Sequence, residues 1–115
     1  MKTKVYLSGA ISKYLKDGLR EVMEANFDEQ MEDVIDYYEK KGIEHQDLEI
    51  FNPAQLSKTF LNRDEIFYLS ICMKELMLSD VVFFQANWTE SHGCGSEYFL
   101  ATKHKKEVKM MGGLC

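Results

Sequence analysis

The chain has 115 residues, 45% hydrophobic and 12% aromatic, which suffices for one domain with its own core and no help from metals or disulfides. A charged fraction of 29% and a single proline argue against a disordered polypeptide, and a net charge of −5 without any extended basic block argues against a nucleic-acid polymer as the main partner. No run approaches the ~18 apolar residues of a membrane span, and cysteines at 72, 94 and 115 lack zinc-site or disulfide-framework spacing, so a reducing cytoplasm and no bound metal are expected.

Met1 to Lys4 leads straight into a β-rich run, Lys4-Val5-Tyr6-Leu7-Ser8, which stops at Gly9 and reads as the first strand. A long helical pattern follows. Leu19, Val22, Met23, Phe27, Met31, Val34, Ile35 and Tyr38 recur at steps of three and four among Glu, Asp and Lys, which predicts one buried stripe on an acidic, solvated helix. Gly42 is placed to end it. Leu48-Glu49-Ile50-Phe51 reads as a second strand closed by Asn52-Pro53.

A second long helix is expected from about Asp64, its cap, to Leu78, with Ile66, Leu69, Met73 and Leu76 on one face. Val81-Val82-Phe83-Phe84 is continuously apolar, as in a strand covered on both faces. A polar loop over 85–95, a short helix from about Ser96 to His104 and a strand from Glu107 to Met111 complete the chain before its glycine-containing tail. The order β-α-β-α-β-α-β over residues 1–115 predicts a single α/β domain, a Rossmann- or flavodoxin-like three-layer sandwich. Right-handed crossovers make 2-1-3-4 the economical order of its parallel strands. Strands one and three then flank the point where the winding reverses, where open α/β sheets bind ligands. That topology carries Tyr6 and the segment 91–97 to one crevice.

Ser91-His92-Gly93-Cys94-Gly95-Ser96-Glu97 is expected to be a glycine-containing connection from strand to helix. Its backbone N–H groups can hold a phosphate or a sugar hydroxyl; a plain turn capped by Ser91 or Ser96 is the alternative. No Lys-Ser/Thr follows and a third glycine is missing, so it is neither a Walker loop nor a dinucleotide fingerprint. Glu97 is placed at the start of that helix, where the dipole favours a carboxylate. A carboxylate there can stabilise or trap an oxocarbenium-like sugar cation.

Taken together, Val5-Tyr6-Leu7-Ser8-Gly9-Ala10-Ile11, Asp80-Val81-Val82 and Ser91-x-Gly93-x-Gly95-x-Glu97-x-x-x-Ala101 resemble the nucleoside 2-deoxyribosyltransferase superfamily. The last of these resembles its deoxynucleoside 5′-monophosphate N-glycosidase branch. Asn52-Pro53-Ala54 and Asn87-Trp88 are similar to segments of small phage and bacterial members. The resemblance implies that Glu97 is the nucleophile toward C1′, that Tyr6 orients it, and that Ser91 contacts a 5′-phosphate. It also implies that Ser8, Gly9, Gly93 and Gly95 line the nucleotide site. Neither metal nor organic cofactor is implied. The expected partners are a small nucleoside or nucleotide and a second copy of the chain, in a homodimer or larger assembly to which Met111–Cys115 contributes.

One position departs from that pattern. The aspartate the superfamily places about eight residues before the Asp80 position falls on or beside Cys72, a neutral and weak donor. A helix antiparallel to the strands would let Tyr68, one turn earlier, or Asp64 contribute instead. Asp80 starts strand three, about 13–17 Å from its far end, so it is expected to be a structural contact at the opposite edge. Trp88 is placed to stack on a base or to sit half-buried in its loop, and Asn52 to touch a ligand or make an Asn-Pro turn. Cys94 and His92, two residues apart on a turn with no orienting acid, do not make a nucleophile pair. Beside the glycosidic reading stand a catalytically silent nucleotide-binding module, which Cys72 favours, and a structural protein that kept only the fold.

Overall fold

The computed structural model describes residues 2–55, 65–86 and 92–111, with the backbone alone described at 12–13, 65–69 and 92–93. Four strands, β1 (Thr3–Ser8), β2 (Leu48–Phe51), β3 (Val81–Phe84) and β4 (Glu107–Met110), form one all-parallel sheet in the order β2-β1-β3-β4. Helices α1 (Ser12–Lys16), α2 (Arg20–Glu39), α3 (Glu65–Leu78) and α4 (His92–Lys103) lie in the connections, with a 3-10 turn at His45–Asp47 before β2. The expected α/β sandwich and its strand order are therefore what the chain adopts.

Successive strand side chains leave on opposite faces, and the two cores follow that period of two. Val5, Leu7, Val81 and Phe83 pack against Met23, Phe27, Val34 and Tyr38 of α2. Tyr6, Val82 and Phe84 pack on the other side against Cys72 and Leu76 of α3 and Cys94 and Ala101 of α4. Because both faces of β3 are covered, all four of its residues are buried, which is why they show no polar alternation. Asp80 does what its place at the far edge suggests. Its carboxylate accepts from the Lys4 amide at 2.9 Å, and its own amide donates to the Lys4 carbonyl at 2.8 Å, tying β1 to the start of β3. The Lys106 ammonium lies past the end of α3 and donates to the Met77 and Ser79 carbonyls at 2.7 Å each, where a cation is favoured by the helix dipole.

Two elements differ from expectation in ways that bear on the site. The long helix begins at Arg20 after a separate turn of helix α1 and a left-handed Gly18 (φ 70°). Its stripe therefore starts at Met23, while Leu19 and Val22 are 44% and 43% exposed. The buried set, Met23, Phe27, Gln30, Val34 and Tyr38, includes a glutamine in line with the apolar residues. Gly42 closes the helix as expected, at φ 83°, with the Ile43 amide returning to the Tyr38 carbonyl at 2.9 Å.

The second difference is the start of α4, which lies at His92 and not near Ser96. Gly93 and Gly95 are thus inside the helix, and Glu97 stands beyond its first turn. Glycine disfavours helix by about 1 kcal/mol per residue, but the burial of Cys94 and Ala101 outweighs that local preference. Cys94, Glu97 and Ala101 are spaced by three and four residues, so helical geometry turns Glu97 toward the sheet with its two buried neighbours. Among the described residues, no helix is long and apolar enough to cross a membrane.

Candidate functional site

Period two in β1 sends Tyr6 and Ser8 to the same face, the face covered by α3 and α4. There the Ser8 hydroxyl donates to Glu97 Oε1 at 3.1 Å, joining residues 89 apart in sequence. The Tyr6 ring is 1% exposed and stacks on Phe51 of the neighbouring strand, with centroids 5.4 Å apart and planes 22° from parallel. Its hydroxyl faces the Glu97 carboxylate and the Cys72 thiol. Cys72 is 5% exposed, so the thiol at the departing position belongs to this cluster. Residues from β1, α3 and α4 therefore meet at the carboxyl end of β1, beside the reversal between β1 and β3.

Electrostatics in this cluster are set by burial. Desolvation pushes the Glu97 carboxyl up to about 7, although the neighbouring Tyr6 and Ser8 hydroxyls favour its charged form and hold it below what burial alone would give. Burial likewise pushes the Tyr6 phenol well above its usual range, and the Glu97 carboxylate and Cys72 thiol push it further. Tyr6 is thus a proton donor that stays protonated, next to a carboxyl poised between its two forms. Glu97 Oε2 is buried with no hydrogen-bond partner among the described residues. A buried carboxylate oxygen without a donor is costly when charged, which agrees with the upward shift of this carboxyl.

The other expected residues divide. Asn52 is buried at the end of β2; its Oδ1 accepts from the Ala54 amide at 3.0 Å, an Asx turn, while its Nδ2 has no partner among the described residues. A Cβ at Gly95 would meet nothing, so that position opens onto free space. Gly93 lies in the first turn of α4. Gly9 has a packing reason of its own: a Cβ there would run into the Gln85 carboxamide. Tyr68 is on α3 one turn before Cys72, with only its backbone described. Trp88, Ser91, the cap position Asp64 and the tail 112–115 lie outside the described residues.

Two glutamines went unread in the sequence. Gln30 Nε2 donates to the Phe83 carbonyl at 3.0 Å and the Ser8 carbonyl at 3.3 Å, and its Oε1 accepts from Gln85 Nε2 at 3.2 Å. The Gln85 amide also donates to the Ser8 carbonyl, at 2.9 Å. The available signal was the position of Gln30, three residues after Phe27 and four before Val34, where the stripe calls for an apolar side chain.

Fold and cluster define a doubly wound parallel α/β domain with a buried carboxyl, pushed up to about 7, at its switch point. The chain belongs to the family described as a domain of unknown function, DUF4406, whose model matches residues 3–110. No curated protein and no solved structure matches it.

Proposed function

We propose that this domain cleaves or transfers at the N-glycosidic bond of a nucleoside or nucleotide, with Glu97 as nucleophile, in the manner of the nucleoside 2-deoxyribosyltransferase superfamily that the sequence resembles. The observation that carries the reading is the contact of Ser8 and Tyr6 with one buried carboxyl at the reversal of strand order. A Glu97 oxygen would attack C1′ as the C1′–N bond breaks and the base departs with its electron pair, taking a proton from water. Water, or a second base in a transfer, would then cleave the glycosyl ester and return the carboxylate. Tyr6, protonated throughout, orients Glu97, and Ser8 holds the second hydrogen bond to it.

Asn52, Gly9, Gly93, Gly95, Trp88 and Ser91 are assigned to the sugar, base and phosphate side of the ligand, and a second copy of the chain to completing the site. The silent nucleotide-binding alternative is favoured by one observation: a thiol, not a carboxylic acid, touches Tyr6 from α3. Incubation with deoxynucleosides and their 5′-monophosphates separates the two. Free base released by wild type and lost by a factor of about 10³ or more in Glu97→Ala supports cleavage. Thermal stabilisation by a nucleotide without turnover supports the binding module.

A further inference from the structure

Gln30 is 3% exposed, on the face of α2 that looks at the sheet side opposite Glu97. Its carboxamide makes three hydrogen bonds: Nε2 donates to two carbonyls, one from β1 and one from β3, and Oε1 accepts from Gln85. Bonds to both ends of the carboxamide favour one orientation of it. The carbonyls it binds belong to Ser8 and Phe83, the last residue of β1 and the penultimate residue of β3, the two strands that flank the switch point. Gln85 is held in turn, because Gly9 has no side chain and lets its carboxamide close in. Ser8 is the common member. Its carbonyl accepts from Gln30 and from the Gln85 amide, while its hydroxyl, on the other face, donates to Glu97.

We propose that Gln30 is a positioning residue for Glu97: from the far side of the sheet it fixes the end of β1 so that the Ser8 hydroxyl meets the carboxyl. This rests on the site at Glu97 described above, and its reach does not depend on which bond that site attacks. Among the described residues, the groups facing Glu97 are the Ser8 hydroxyl and the Tyr6 phenol from β1, with the Cys72 thiol of α3 behind the phenol. Gln30 touches none of these three groups, and the hydrogen-bonded route from it to Glu97 runs through Ser8.

The test is a titration of the Glu97 side-chain carboxyl by carbon NMR in wild type, Gln30→Met, Ser8→Ala and the double variant. Methionine keeps the volume of Gln30 and removes its donors. Ser8 favours the charged carboxylate, so each single variant should raise the midpoint above its wild-type value of about 7, by roughly half a pH unit or more. The double variant should match Ser8→Ala alone, since the two act in series. A midpoint unmoved by Gln30→Met, or a further shift of the same size in the Ser8→Ala background, overturns the proposal. Should Gln30→Met unfold, Gln30→Asn, which keeps the carboxamide but falls one methylene short, is read by the same rule. A wild type that releases no base would sink the glycosidic reading while leaving this titration intact, and an unmoved midpoint would do the reverse.

Discussion

The raised Glu97 carboxyl makes a quantitative claim about stability that needs no substrate. Its ordinary value is 4.5 and its folded value about 7. Between those limits the unfolded chain has lost the proton and the folded chain still holds it, so the native state binds more protons. Stability must then fall as pH rises. The favourable contribution is complete below about pH 4.5 and is gone above about pH 7, and a shift of that size corresponds to about 3 kcal/mol. Glu97→Gln removes the titration while keeping an oxygen that can accept from Ser8. Any constant effect of the amide, including an unsatisfied hydrogen where Oε2 stood, is the same at all pH values. The expected result is therefore a difference of differences: urea unfolding should show Glu97→Gln gaining on wild type by up to about 3 kcal/mol between about pH 4 and pH 8. Contributions common to both proteins cancel in that difference. Two stability profiles that run parallel across that range would refute the assignment of a buried, proton-holding carboxyl at this position.

The same titration predicts the pH dependence of turnover. A nucleophile must be ionised, so kcat/KM for base release should rise with pH and reach half its plateau near pH 7; a flat profile from about pH 5 to 9 counts against Glu97 as the attacking group. Gly9→Ala should destabilise by about 1–3 kcal/mol, because the new methyl displaces a Gln85 carboxamide already tied to Gln30. Adding Gln85→Ala should recover most of that loss in a double-mutant cycle; full additivity would mean that the clash is not the cause.

What was legible in the residues depended on periodicity. The runs at 48–51 and 81–84 announced their strands by β-branched and aromatic content between polar or turn-forming flanks, and both elements have those bounds. The strand order followed from the handedness of crossovers and the alternation of elements. The start of α4 was not legible, because glycine propensity is a local quantity. The burial that overrides it comes from Cys94 and Ala101 meeting Tyr6, Val82 and Phe84, which no window of sequence contains. Leu19 and Val22 misled for the converse reason. They continue the helical spacing of α2 beyond Met23 but have no sheet beneath them.

The site is where two periods intersect, and this explains why part of it could be read and part could not. Period two places Tyr6 and Ser8 on one face of β1; a helical period places Glu97 with Cys94 and Ala101 on the inner face of α4. Each pattern is visible alone, and parallel winding brings the two together. Gln30 belongs to neither. It is chosen by what lies at the ends of β1 and β3, two carbonyls that a leucine in its place would leave without these donors. An apolar stripe interrupted by one glutamine is thus a mark of backbone needing a donor, and here that backbone carries Ser8, the residue that reaches the carboxyl. Local pattern identifies the side chains that meet at the Glu97 carboxyl. The residues that hold them in place are identified only by the hydrogen bonds the fold would otherwise leave unmade.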